Sequence, residues 1–252
     1  SLMESCKRFL FSKVKKFRSL PSTQGTAKKL RRPFSAIVAH RQTKGKGRFE
    51  RRWNSPAGGL YVTLTIQEPL GENFSLIPIV AAIAAREAIY SASGVSCTYK
   101  WPNDLMRHGK KVSGILVETI IGGKSLWAFI GIGININNTI PARLKSKATS
   151  LEAICRKKID VDDVLEALLR SFPPIYERYR KGNIAKMLIS YRNACQTLGT
   201  HVVVGSGTRI IRGIAKRVTD EGFLVVSTQE GEAIIADGTL VEKGSQAKMY
   251  GR

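Results

Sequence analysis

Acidic residues are scarce in this chain: 19 Asp and Glu stand against 41 Lys and Arg in 252 residues, a formal net charge of +22. Such a field favours acidic partners, whether nucleic acid, membrane surface or acidic protein, and speeds encounter with them without choosing among them. The shortage is sharpest at the start, where residues 1 to 52 hold sixteen Lys and Arg but only Glu4 and Glu50. Cysteine and histidine are also sparse. Cys6, Cys97, Cys155 and Cys195 form no C-x-x-C pair, and His40, His108 and His201 lie far apart, which argues against a zinc site or a disulfide framework and for a reducing cytosol. Long apolar runs are missing too: the longest, near Leu76 to Ala85, is too short to span a bilayer, and no leader pattern opens the chain. A cytoplasmic protein with no membrane partner is the expectation.

What remains is globular in character, with 43% hydrophobic and 24% charged residues. The length fits one large domain, or a medium one with a small companion. The stretch Gln42 to Tyr61, QTKGKGRFERRWNSPAGGLY, concentrates two spaced glycines, five basic side chains, a tryptophan and a second glycine pair. Gly45 and Gly47 suit backbone dihedrals closed to other residues and close approach to a ligand. Amides in such a turn form a concave anion site, and Arg48 can fork onto two phosphate oxygens. Alone, the turn also reads as a solvated basic loop.

Around it the chain predicts alternating elements. Val14 to Leu20 is a strand ending at Pro21-Ser22-Thr23-Gln24, where Ser-Thr suits a helix cap, and Ala27 to Leu30 begins a short basic helix. Phe34 to Ala39 and Leu60 to Ile66 are strands; Pro78 to Ser91 is a crossover helix stopped at Gly94. Val95 to Trp101 leads into Pro102-Asn103-Asp104, and Ile115 to Ile121 turns at Gly122-Gly123 into Leu126 to Ile134. Asp160 caps a helix that Pro173-Pro174 ends, with further helix over 175–180 and 184–195. After Gly199 short strands at His201 to Val204, Thr208 to Val218, Phe223 to Thr228 and Ala233 to Ala236 suggest a small barrel.

Four blocks beside the basic loop, Ser22-Thr23-Gln24, Lys100 to Leu105 (KWPNDL), Lys111 to Glu118 (KVSGILVE) and Gly131 to Asn138 (GIGININN), occur in an order that resembles the biotin protein ligases across roughly residues 14 to 240. The resemblance implies an α+β fold, a mixed β-sheet flanked by helices like that of class II synthetases and biotin/lipoyl ligases, with a small SH3-like β-barrel at the C-terminus. It divides the chain into a catalytic domain over 1–198 and the barrel over 199–252. Some members carry an N-terminal DNA-binding domain, for which the residues before Val14 leave no room.

The implied chemistry is activation of biotin by ATP as an acyl adenylate, then attack by a lysine of a biotin carboxyl carrier protein. Two mutually repelling anions must meet, so fixed positive charge is needed in a dry pocket. By resemblance Lys111 bridges the biotin carboxylate and the α-phosphate, and Arg48 closes over the phosphates. Ser22, Thr23, Gln42, Lys46 and Gly114 join Lys111 on the biotin side; Gly45, Gly47, Trp53, Asn103 and Asn135 join Arg48 on the nucleotide side; Asp104 is the Mg²⁺ candidate. On their own terms, a lysine opening a strand is a solvent-facing end, Trp53 equally a core anchor and Pro-Asn-Asp a turn; an Asn among isoleucines at 135 is locally out of place. The loop departs from the family's G-R-G-R-x-G-R at Lys46, which loses the bidentate fork, and at Glu50, expected to pair with Arg51 or Arg52. The resemblance also implies pairing of copies through sheet edges. Two alternatives stay open: a lipoate-type acyl ligase of the same fold, and a non-catalytic nucleic-acid-binding module, against which stands the lack of a reading motif or aromatic platform.

Overall fold

The computed structural model of the chain describes residues 11, 13–49, 51–70 and 74–240. Glu50 with its expected pairing, Cys6 and positions 241–252 of the expected barrel lie outside them. Seven strands form the main sheet: β1 (Lys13–Phe17), β2 (Ser35–Ala39), β3 (Leu60–Pro69), β4 (Thr98–Lys100), β5 (Asp104–Arg107), β6 (Lys110–Gly122) and β7 (Ser125–Ile134). Their order is β1-β2-β3-β7-β6-β5-β4. Only β1 and β2 run parallel; every other neighbouring pair is antiparallel, so the sheet is mixed as expected.

The helices α1 (Thr23–Leu30), α2 (Ile77–Ser93), α3 (Leu151–Cys155), α4 (Val161–Arg180) and α5 (Ala185–Asn193) cover this sheet. α2 starts with Pro78 in its first turn and ends where Gly94 takes φ 73°, its amide bonded to the Tyr90 carbonyl. Its alanines are buried nearly all round, because it lies between the sheet and α4. α1 packs on the other face, where Ala27, Ile37 and Phe129 form a separate small cluster. The C-terminal sheet is antiparallel throughout: β8 (His201–Ser206), β9 (Arg209–Val218), β10 (Leu224–Thr228), β11 (Gly231–Ile235) and β12 (Thr239–Leu240), in the order β11-β10-β9-β8-β12. Val204, Ala215, Leu224 and Val226 share one buried cluster with α2 and α4, and the Trp101 indole N–H donates to the Gly222 carbonyl at 3.0 Å. The two sheets are thereby tied together.

Three expectations are corrected. The Pro173-Pro174 pair does not end a helix: α4 runs through it for 20 residues. Two amide donors are lost there, but Phe172, Pro173, Ile175 and Tyr176 are buried, and Tyr176 donates to Glu68 at 2.7 Å, so burial on both sides of the prolines favours continuation. α1 begins at Thr23 rather than Ala27, since Ser22 takes the cap and accepts from the Gly25 amide at 3.4 Å. Asp104 lies in strand β5 beyond the Pro-Asn turn, too short a strand to carry a period.

Register places the site. Ala39 pairs with Tyr61, Tyr61 with Gly133 and Gly133 with Gly114, so the end of β2, the start of β3, the end of β7 and the early part of β6 open along one edge.

Candidate active site

A cavity of about 1260 Å³ opens along that edge. This is larger than the ~300–1,000 Å³ usual for one small ligand and leaves room for two. Ser22, Thr23, Gln42, Lys46, Gly47, Arg48, Trp53, Asn103, Asp104, Lys111, Gly114 and Asn135 all line it, although they come from eight separate stretches of chain; of the expected residues only Gly45 does not.

One wall is a polar network. The Gln42 side-chain oxygen accepts from the Thr23 amide at 2.8 Å and from the Thr23 hydroxyl at 3.1 Å. The Gln42 amide nitrogen donates to Ser55 Oγ at 3.0 Å, and Ser55 donates to the Trp53 carbonyl at 3.1 Å. Below them Thr63 Oγ1 lies 2.9 Å from Thr23 Oγ1 and 3.0 Å from Gln24 Oε1, while Gln24 donates to the Phe129 carbonyl. A polar floor at this depth persists because its members satisfy one another.

The basic loop is a small closed hairpin. Gly47 N donates to the Arg51 carbonyl at 2.7 Å, Trp53 N to Gly45 at 3.0 Å, and Lys46 bridges Arg52. The Gly47, Arg51 and Trp53 amides are therefore spent within the loop. Neither Gly45 nor Gly47 takes a positive φ; Phe49 does, at 53°. Gly45 is needed for closeness instead: a Cβ there would stand 2.5 Å from both Ser55 Oγ and the Trp53 carbonyl. Lys46 is exposed, whereas Arg48 is partly buried and points inward. Arg48 Nη1 donates to Asn103 Oδ1 at 3.4 Å, Nη2 pairs with Asp237 on the turn between β11 and β12, and the guanidinium lies 4.9 Å from the Phe49 ring centre. Burial lowers the Arg48 pKa; Asp104 opposes that shift and Arg51 adds to it.

The opposite wall belongs to β5, β6 and β7. Lys111 Nζ lies 2.6 Å from Asp104 Oδ1 and 5.0 Å from the Trp53 ring centre. The indole rests on the Gly114–Gly133 cross-strand pair, where added Cβ atoms would come within 2.9 Å and 2.5 Å of it. Two glycines thus make a flat bed no other residue pair could provide. Asn103 reaches the Ile115 carbonyl at 2.5 Å, and Asn135, 5% exposed, accepts from Asn138 at 3.1 Å.

Sequence reasoning missed Gln24, Thr63 and Ser55, and it missed that the C-terminal sheet walls the cleft through Gly205, Gly207, Thr208, Arg209 and Gly238. Gln24 adjoins Ser22-Thr23 and could have been added on that ground. Nothing local marks Asp237. Among the described residues no group of three or more His, Cys, Asp or Glu side chains could hold a metal ion.

A cleft with room for two ligands, edged with cations and built on a mixed sheet, is suited to binding anionic groups. The sequence model of the biotin/lipoate A/B protein ligase family matches residues 17–135. The chain is 32% identical over 222 residues to the bifunctional ligase/repressor BirA of Bacillus subtilis, covering 84% of this chain and 68% of that protein. It is 28% identical to the biotin--[acetyl-CoA-carboxylase] ligase of Paracoccus denitrificans, covering 85% and 94%. It superposes on a biotin protein ligase from Aquifex aeolicus, solved in complex with biotin and ATP, with a TM-score of 0.82 at 30% identity, covering 92% and 98%. The chain belongs to the biotin/lipoate A/B protein ligase family, and within it to the biotin protein ligases.

Proposed function

We propose that the protein condenses biotin with ATP to biotinyl-5'-AMP, releasing pyrophosphate, and transfers the biotinyl group to the ε-amino group of a lysine on a biotin carboxyl carrier protein or domain, releasing AMP. The observation that carries this reading is the charge of the cleft. Lys46, Arg48, Arg51, Arg52, Lys100, Lys111, Lys147 and Arg209 line it, and among the described residues Asp104 is its one acid. Such a site stabilises two anions side by side, and most strongly where water is excluded.

Lys111 stands between the halves and is the bridging cation, held ready by Asp104. Thr23, Gln42 and Ser22 form the biotin wall, with Gly114 giving room for the acyl tail and Lys46 closing the rim. Arg48 takes the phosphates, moving from Asp237 to the nucleotide and folding the loop over a hydrolysable adenylate. Gly45 and Gly47 permit the loop's tight path, while Trp53, Asn103 and Asn135 bound the nucleotide side. One carboxylate does not make a metal cage. It does fit Mg²⁺ that arrives on the phosphates of ATP, with Asp104 as the protein partner.

The test is a reaction with ATP, Mg²⁺ and an apo carrier domain, followed by mass spectrometry. Biotin is expected to add one biotinyl group to one lysine and lipoate to add nothing; the reverse pattern would assign the site to lipoate.

A further inference from the structure

Ser55 follows the basic loop, is 5% exposed and does not line the cleft, yet its hydroxyl joins Gln42 to the main chain of Trp53, two residues that do. It has one proton, given to the Trp53 carbonyl at 3.1 Å, and its oxygen accepts from Gln42 Nε2 at 3.0 Å. The two backbones run together here as well, since the Gln42 amide donates to the Ser55 carbonyl at 3.0 Å. Gly45 passes directly over the hydroxyl, so no other side chain can take its place from the loop side.

We propose that Ser55 is a positioning residue for adenylate formation: it locks the Gln42 amide in one orientation and couples that amide to the segment carrying Trp53. A flipped Gln42 would set its NH₂ against the Thr23 amide, donor against donor, and its oxygen against a hydroxyl whose proton is already committed to Trp53. The bonds to the Thr23 amide and to the Ser55 hydroxyl would be lost at once. Locked this way, Gln42 spends its oxygen on Thr23 and one N–H on Ser55, and offers its second N–H to the ligand. The wall therefore recognises a hydrogen-bond acceptor on the acyl substrate. Because the same hydroxyl anchors the Trp53 carbonyl, a shift of Gln42 on ligand entry is felt where the indole covers Lys111.

This inference rests on the biotin-activating reading, and the experiment separates the two. Biotin-dependent exchange of pyrophosphate into ATP is measured for the wild type, Ser55→Ala, Gln42→Ala and the double variant, with melting curves recorded for each. Ser55→Ala is expected to raise the KM for biotin on the order of tenfold, the loss of about one good hydrogen bond, with kcat changed far less. In the Gln42→Ala background the same change is expected to add at most about twofold, because the residue through which it acts is gone. Ser55→Cys keeps the volume but bonds weakly, so it is expected to follow Ser55→Ala and decides the matter if the alanine variant does not fold. An unchanged KM, or an equal increase in both backgrounds, overturns the role assigned to Ser55. A wild type that exchanges pyrophosphate without regard to biotin overturns the proposed function instead.

Discussion

At the residue scale, Lys111 is held between the Asp104 carboxylate and the Trp53 ring, so its ammonium is fixed in space before any ligand arrives. Groups placed in advance stabilise developing charge without reorganisation. Lys111→Ala and Arg48→Ala are therefore expected to keep the circular dichroism spectrum of the wild type while adenylate formation falls by ~10²-fold or more, read as trapped biotinyl-AMP in a single turnover. Arg48 also pairs with Asp237, which the proposal makes a resting partner that ATP replaces. Asp237→Asn is expected to alter the KM for ATP several-fold and leave that for biotin unchanged; a change in the biotin KM alone would contradict it. Gln42, Lys46, Arg48, Asn103, Lys111 and Asn135, which line the cleft, were legible in sequence because each stands in a distinctive block. Ser55, Thr63, Lys147, Arg209 and Asp237 were not, since a lone hydroxyl or charged side chain has the same local appearance wherever it points.

At the scale of elements, the glycine bed is the feature most exposed to test. Gly133 meets Gly114 across β7 and β6, and the indole lies on both. Gly133→Ala places a methyl 2.5 Å from Trp53 Nε1 and must push the ring aside. The expected result is a folded protein whose affinity for ATP, by calorimetry, drops roughly tenfold, since overpacking of this kind costs about 1–3 kcal/mol. Elements with a strong period, such as α2 and the β6–β7 hairpin, could be read directly. α4 could not: a proline pair predicts a stop from local chemistry, and the burial of Phe172 and Tyr176 that outweighs it is a tertiary fact. The closed hairpin of the basic loop was hidden for a similar reason, as the same glycines serve an open amide cradle or a tight internal turn.

At the scale of the whole molecule, charge and buried phenols govern behaviour. The eight cations around the cleft raise encounter rates with an acidic partner surface, so kcat/KM for an acidic carrier domain is expected to fall as salt rises, with kcat nearly constant. Burial raises the pKa of Tyr61, Tyr176 and Tyr191, takes Tyr99 up to about 12 and takes Cys97 up to about 11. Their unfolded values lie near ~10 for Tyr and ~8.5 for Cys. Above those values the folded state keeps protons the unfolded chain has lost, so stability is full below them and declines as pH rises toward 12. Full phenolate absorbance is expected only together with loss of helical signal; full absorbance from a still-folded protein would contradict the burial of Tyr61, Tyr99, Tyr176 and Tyr191. No helix among the described residues is long and apolar enough to cross a membrane.

In the proposed reaction one ammonium and one guanidinium neutralise two acids in a shared cleft. This is tested most directly by biotin-dependent exchange of labelled pyrophosphate into ATP, in the wild type beside Lys111→Ala. Exchange is expected to require biotin and to vanish in the variant; wild-type rates in Lys111→Ala would rule out the bridging role of Lys111, and exchange driven by lipoate and not by biotin would rule out biotin as the acid.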